Sequence, residues 1–253
     1  MLRTPTLDKL REMKLQGMLR ALEEQQGSSK YKGLSFDERL GLLVDAEHIE
    51  RQNRRLRSRL RAAKLRLQAS IEDLDYHCKR TGLDRSLMAK LATCQWIHEH
   101  RCITVHGPTG VGKSYVACAL GHEACMKGMR VLYFRATRLF PDLELARADG
   151  RYARLMNTIA RSDVLIIDDF GLCVLTDHER RDLLEILEDR HDRRSTIMTS
   201  QLPRKAWYDV VGDPTLADAV LDRIVHNAYE ISMKGPSMRG RKPKGNGGTK
   251  KKR

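Results

Sequence analysis

The sequence predicts an α/β fold: a parallel sheet flanked by helices, preceded by an all-α region. Three observations carry this. Between residue 96 and about 234, short apolar runs alternate with amphipathic helical stretches, the pattern of strand–helix–strand crossovers. The run Gly107-Pro108-Thr109-Gly110-Val111-Gly112-Lys113-Ser114 fits G-x-x-x-x-G-K-[ST] without departure, with an expected strand before it and an expected helix after it. Val164-Leu165-Ile166-Ile167 is wholly apolar, as a strand buried on both faces must be, and it ends in Asp168-Asp169.

The elements follow in order. Thr4-Pro5 starts the first helix, Thr4 as cap and Pro5 in the first turn, where a missing N–H costs nothing. Leu7, Leu10, Met13, Met18 and Leu22 continue it at roughly helical spacing until Gly27-Ser28-Ser29. Ser35-Phe36-Asp37-Glu38 opens a second helix, with Leu42, Ile49, Leu56, Leu60, Ala63 and Leu67 as its apolar stripe. Helix is expected to about residue 95. Strands are then expected at 101–106, 129–134, 164–167, 195–199 and about 229–232. Between them come a helix from Ser114 to Gly128, two helical stretches at 138–148 and 151–161, and a helix near 214–227. A further helix opens at the capping box Thr176-Asp177-His178-Glu179, with Leu183, Leu184, Ile186 and Leu187 inward.

With 253 residues, 41% of them hydrophobic, the chain can bury a sizeable core. No run approaches the ~20 apolar residues that span a bilayer, and the first residues lack the apolar centre of a secretion signal. Six cysteines include no C-x-x-C pair. A reducing, cytoplasmic setting without disulfides or membrane is therefore expected. Cys94, His98, His100 and Cys102 are close in sequence, but their spacing matches no common structural-zinc pattern.

A net charge of +14 implies an acidic partner, nucleic acid first and an anionic membrane surface second. Arg51, Arg54, Arg55, Arg57, Arg59, Arg61, Lys64 and Arg66 follow one another with no acid between them. A merely solvated helix mixes signs, because like charges at i,i+4 repel. Eight cations without an anion need a counterion, either nucleic-acid phosphate or an acidic groove on a protein partner. Residues 239–253 carry eight basic residues and no acid, and read as a disordered tail, a phosphate-binding arm or a solubilising one. The expected division is thus 1–75, a helical DNA-binding or oligomerisation region; 76–238, the α/β core with a helical lead-in; and 239–253, the tail.

The chemistry follows from the loop. Glycines turn successive N–H groups inward, and the helix N-terminus adds partial positive charge, so the segment from Gly107 to Tyr115 is expected to cradle the phosphates of a nucleoside triphosphate. Lys113 would reach the β- and γ-phosphates, and the Ser114 hydroxyl would bind Mg2+. Asp168 would hold the metal, and Asp169 would orient or deprotonate the attacking water. A γ-phosphate sensor is expected on the neighbouring strand end Thr199-Ser200-Gln201, with Ser200 first and Thr199 second. Arg223 is the candidate for a transition-state cation, with Arg190, Arg193 and Arg194 as rivals that read more simply as the solvated end of a helix. Trp96 reads as packing or an adenine-side contact.

These motifs carry a family resemblance. The loop 107–114, Ile166-Ile167-Asp168-Asp169-Phe170-Gly171, Met198-Thr199-Ser200-Gln201-Leu202-Pro203 and Asp222-Arg223-Ile224 occur in the order seen in IstB-like ATPases, the AAA+ helper proteins of insertion-sequence transposition. Leu7-Asp8-Lys9-Leu10 and Met13-Lys14-Leu15-Gln16-Gly17-Met18 also look typical of that family, which is similar to the helicase loader DnaC and more distantly to the initiator DnaA. The resemblance implies an AAA+ P-loop NTPase core and a homo-oligomer with ATP at its subunit interfaces. Such an oligomer would assemble on duplex DNA, help select the target and activate a partner transposase. It also implies that Arg223 acts as the arginine finger toward the adjacent subunit, and that Asp169 stands where many relatives have Glu. Little chain remains for a C-terminal lid, so the lid is expected to be reduced or absent, with Arg239 the one residue left to contact nucleotide from there. An Asp carboxylate sits on the order of 1.5 Å short of a Glu carboxylate, so slow hydrolysis without partners is expected. A DnaC-type helicase loader, and a DNA-coating scaffold that binds ATP without hydrolysing it, share these features.

Overall fold

The computed structural model describes residues 3–76 and 81–238. The expected tail and Arg239 lie outside the described residues. The chain divides into two compact units between Arg61 and Ala62 rather than at residue 75.

The first unit is helical. Helices α1 (Arg3–Glu12), α2 (Gln16–Gly27) and α3 (Phe36–Ala63) follow one another, with a 3-10 turn at Ser29–Tyr31. The single helix expected from Thr4 onward is therefore two, and α1 already includes Thr4. Lys14 takes a left-handed φ of 58° between them. The five-residue step from Met13 to Met18 fits no helical face, and the break falls there. A Cβ at Gly17 would lie 2.4 Å from the Ala46 carbonyl oxygen, so α2 and α3 approach closely only because residue 17 is glycine. The buried Glu47 carboxylate accepts from the N–H groups of Gly17 (2.8 Å) and Met18 (3.3 Å), satisfying first-turn amides of α2. Ser35 and Glu38 form the expected reciprocal cap. The expected stripe of α3 is only partly an inner face, since Leu42 and Ile49 are exposed.

The second unit contains the sheet. Helix stops after Ala63, where Lys64 takes a φ of 52°, and no α-helix resumes among the described residues until α4 (Arg85–Ala92) and α5 (Gln95–His98). The helix expected to run toward residue 95 is absent from the described part of this stretch. Ala69 and Leu74 are buried instead, a tertiary contact that local propensity does not announce. Then come β1 (Cys102–His106), α6 (Lys113–Met126), β2 (Val131–Arg135), α7 (Ala136–Ala148), α8 (Tyr152–Ala160), β3 (Val164–Phe170), α9 (Asp177–Arg190), β4 (Ser195–Ser200), α10 (Trp207–Val211), α11 (Pro214–Val225) and β5 (Ala228–Ser232). All five strands are parallel, in the order β2-β3-β4-β1-β5.

Helices cover both faces. Leu165 and Ile167 of β3 join Leu139 and Leu143 of α7, Leu183 and Ile186 of α9 and Val220 of α11 in one core. Ile166 points the other way, toward α6 at Gly121, as the two-residue period of a strand requires. Helix α6 is buried on most of its circumference, which explains its nearly uniform apolar sequence. The capping box at Thr176 and Glu179 is present. Trp96 is buried, and its indole N–H donates to the Leu91 carbonyl at 3.0 Å, so it serves packing. Among the described residues no helix follows β5. The chain instead turns back over the phosphate loop, where the Met238 N–H donates to the Gly110 carbonyl at 2.8 Å. Among the described residues no helix is long and apolar enough to cross a membrane.

Candidate nucleotide-binding site

Strand β1 delivers the loop and α6 receives it. Gly107 has a φ of 148°, and a Cβ there would lie 2.1 Å from the Met233 carbonyl oxygen, so only glycine fits beside the strand that leaves β5. Lys113, the first residue of α6, is buried, and its ammonium donates to the carbonyls of Gly107 (2.8 Å) and Pro108 (3.0 Å). The cation thus lies along the loop that the sequence assigns to phosphate.

Asp168 sits at the end of β3, fully buried, and three hydroxyls converge on it. Ser114 Oγ donates to Oδ1 at 2.9 Å, Thr199 Oγ1 donates to Oδ1 at 2.5 Å, and the Tyr133 hydroxyl donates to Oδ2 at 2.6 Å. Burial and the bond to Asp168 push the Tyr133 pKa far up, so Tyr133 remains a donor at any physiological pH. Next to it the β3–β4 register shifts, and Asp169 takes a left-handed φ of 59°. Asp and Asn tolerate that conformation better than Glu, a local reason for the shorter acid here. The Asp169 N–H donates to Thr199 Oγ1 at 3.0 Å. Its carboxylate lies 3.2 Å from Arg135 Nη2 and 3.5 Å from Arg66 Nη1. A cleft of about 330 Å³ opens here, lined by Arg66, Thr109, Gly110, Lys113, Ser114, Tyr115, Asp169, Gln201 and Met238 among others.

The expected site residues do not all arrive. The loop, Ser114, Asp168 and Asp169 come together. Ser200, the first choice for sensor, is fully buried, donates to the Phe170 carbonyl at 2.7 Å and accepts from the Leu202 N–H at 3.1 Å. It shapes the turn after β4. Thr199 reaches Asp168, and Gln201 lines the cleft, its Oε1 accepting from Thr109 at 2.6 Å. Arg223 lines a separate cleft of about 850 Å³ with Arg204, Tyr208, Asp222 and His226, where it pairs with Glu188. Within one chain it does not line the phosphate cleft.

Arg190 is not a solvated helix end. It is buried, and its guanidinium donates to five oxygens: Thr196 Oγ1, Ser162 Oγ and the carbonyls of Ile159, Ser162 and Ser195. Two of those carbonyls lie at the C-terminal end of α8, where a cation is favoured. Burial pushes its pKa down to about 10, which leaves it charged at neutral pH.

The basic run divides. Arg51, Arg54, Arg55, Arg57, Arg59 and Arg61 are on α3, with Arg54, Arg55, Arg57 and Arg61 exposed. Lys64 is at the turn that ends the helix, and Arg66 lies beyond it in the phosphate cleft. Tyr133 and Arg135 are the site residues that sequence reasoning missed, and Arg66, expected among the DNA-phosphate contacts, lines this cleft beside Asp169 instead. Arg135 pairs in register with Asp168 across β2 and β3, but no local pattern states which strands are neighbours.

A parallel sheet in this order, a glycine-rich loop into a helix and an acid near the end of β3 define a P-loop α/β nucleotide-binding fold. Solved structures share the fold: the DnaC helicase loader, with a TM-score of 0.55 and 24% identity over 68% of this chain and 100% of that one, and DnaA from Aquifex aeolicus, with 0.54 and 18% over 66% and 51%. The family model described as IstB-like ATP binding protein matches residues 8–245, and the chain belongs to that family. Among its relatives are the insertion-sequence ATP-binding protein y4pL of Sinorhizobium fredii, 54% identical over 94% of this chain and 97% of that one, and the IS1162 ATP-binding protein of Pseudomonas fluorescens, 49% identical over 78% and 86%.

Proposed function

We propose that this protein is an ATP-hydrolysing, DNA-binding oligomer that acts in insertion-sequence transposition, assembling on duplex DNA and assisting target selection and transposase activation. The observation that carries the nucleotide chemistry is the Ser114–Asp168 contact of 2.9 Å above an intact phosphate loop. Family membership supports the transposition context.

Two oxygen donors side by side, a hydroxyl and a buried carboxylate, fit a hard divalent cation. Mg2+ held by Ser114 and Asp168 would neutralise phosphate charge. Lys113 binds the β- and γ-phosphates, exchanging loop carbonyls for them. Tyr133 and Thr199 hold the Asp168 carboxylate in place. Asp169 orients the attacking water and takes its proton, while Gln201, just past the end of β4, faces the terminal phosphate from the cleft wall. Arg223, placed away from its own loop, serves the nucleotide of the next subunit. The arginines of α3 hold DNA phosphates without reading sequence.

The test is steady-state ATP hydrolysis with and without duplex DNA, with sedimentation of the same samples. Duplex-stimulated hydrolysis with ATP-dependent assembly on duplex supports the reading. Stimulation by single strands alone would indicate a helicase loader. DNA coating that needs Lys113 but survives Asp169→Ala would indicate a non-hydrolysing scaffold.

A further inference from the structure

Asp169 is the acid that must face the attacking water, yet its carboxylate is flanked by two guanidinium groups, Arg135 at 3.2 Å and Arg66 at 3.5 Å. Both side chains are about 40% exposed, at 40% and 39%. Ion pairs in that much contact with water exchange readily for a better partner. Arg135 also carries a buried Nε with no acceptor among the described residues, so the cationic side of this cluster is not fully satisfied. Arg66 lies on the wall of the phosphate cleft with Lys113 and Ser114, and follows the C-terminus of α3 by three residues.

We infer that Arg66 is a triphosphate-selecting residue of the ATP site, acting within its own chain. It rests on Asp169 and transfers to the terminal phosphate of a bound nucleoside triphosphate. This rests on the nucleotide-site reading above and adds a residue to it. A terminal phosphate offers a guanidinium a doubly charged, bidentate partner where Asp169 offers a singly charged carboxylate. A diphosphate lacks the group that Arg66 takes, so Arg66 stays on Asp169. The exchange has a second result: Asp169 keeps Arg135 and loses Arg66, which frees its carboxylate toward water when a γ-phosphate is present. Arg66 is thereby a positioning residue for Asp169 and a ligand for the nucleotide.

The test is equilibrium binding of ADP and of a non-hydrolysable ATP analogue, with magnesium and without DNA. The proteins are the full chain and its Arg66→Ala, Arg66→Lys, Asp169→Asn and Lys113→Ala variants. Arg66→Ala should weaken the ATP analogue by roughly tenfold and leave ADP within about twofold, as removal of one charge-assisted hydrogen bond to the terminal phosphate would. Arg66→Lys should recover part of that affinity. Asp169→Asn should tighten the analogue, because the nearer of the two carboxylates beside Arg66, Asp169 at 3.5 Å against Asp168 at 3.8 Å, is gone, and leave ADP unchanged. Retained ADP binding shows that the Arg66 and Asp169 variants are folded, and a cooperative melting transition shows it for Lys113→Ala. Equal effects of Arg66→Ala on both nucleotides, or on neither, overturn the inference while leaving the nucleotide site intact. Wild-type protein that binds neither nucleotide, or Lys113→Ala that binds both as wild type does, overturns the nucleotide-site reading as well.

Discussion

Arginine has opposite fates in the two units of this protein. In the α/β unit, Arg190 is buried and gives its guanidinium to five oxygens of the chain itself. On α3, Arg54, Arg55, Arg57 and Arg61 are exposed. The same side chain closes a polar knot in one place and presents charge to the surroundings in the other. Burial makes the difference: a buried donor must find acceptors at once, whereas an exposed one waits in water for a partner. The phosphate site lies between these extremes. Asp168 is tied by three hydroxyls, while Asp169, Arg135 and Arg66 remain partly in contact with solvent.

Removing the buried arginine should have the largest effect. Arg190→Ala removes the guanidinium from the five oxygens it serves and opens a cavity, and should cost about 3–5 kcal/mol of unfolding free energy in a denaturant titration. A loss of stability no greater than that of an exposed α3 arginine would collapse the distinction. Lys113→Ala comes next. It should weaken ATP binding on the order of 100-fold with an unchanged melting curve of the free protein, because its work is on the ligand.

The exposed set is best tested together. Replacing Arg54, Arg55, Arg57 and Arg61 with Gln should leave thermal stability within the small range usual for surface changes. It should also flatten the logarithmic salt dependence of duplex binding by about 0.9 for each phosphate left without its arginine, and so by up to about 3.6 for four. A melting point that falls with them would show that these side chains are structural. The smallest expected effect is Tyr133→Phe. It removes one of three donors to Asp168 and should cost about 1.5 kcal/mol of stability. Because the Tyr133 hydroxyl holds its proton far above neutral, that cost should be the same at pH 6 and pH 8, as paired chemical denaturation would read.

Much of the α/β unit is legible in the sequence. The strands at 164–170 and 195–200 and the capping box at Thr176 announce themselves through short-range patterns of period two or of fixed spacing. The stretch between Lys64 and Asp84 reads as helix and is not one where it is described, because the burial of Ala69 and Leu74 belongs to tertiary packing and not to a stop signal. Ser200 reads as the phosphate sensor because both hydroxyls at the end of β4 look alike in sequence. Only the strand's alternation and its neighbours direct one to Asp168 and the other to the Phe170 carbonyl.

By itself the sequence determined the phosphate loop, the buried acid at residue 168, the parallel α/β class and the cationic run on α3. Each is a matter of residue types at short, fixed separations, where glycine conformation, helix start and strand period act locally. Only the tertiary structure decided that Tyr133 holds Asp168 from 35 residues away, that Arg135 and Arg66 flank Asp169, and that Arg190 is internal. Those facts depend on strand order and register. Strand order and register are settled by packing the whole sheet against its helices, and no short segment contains them.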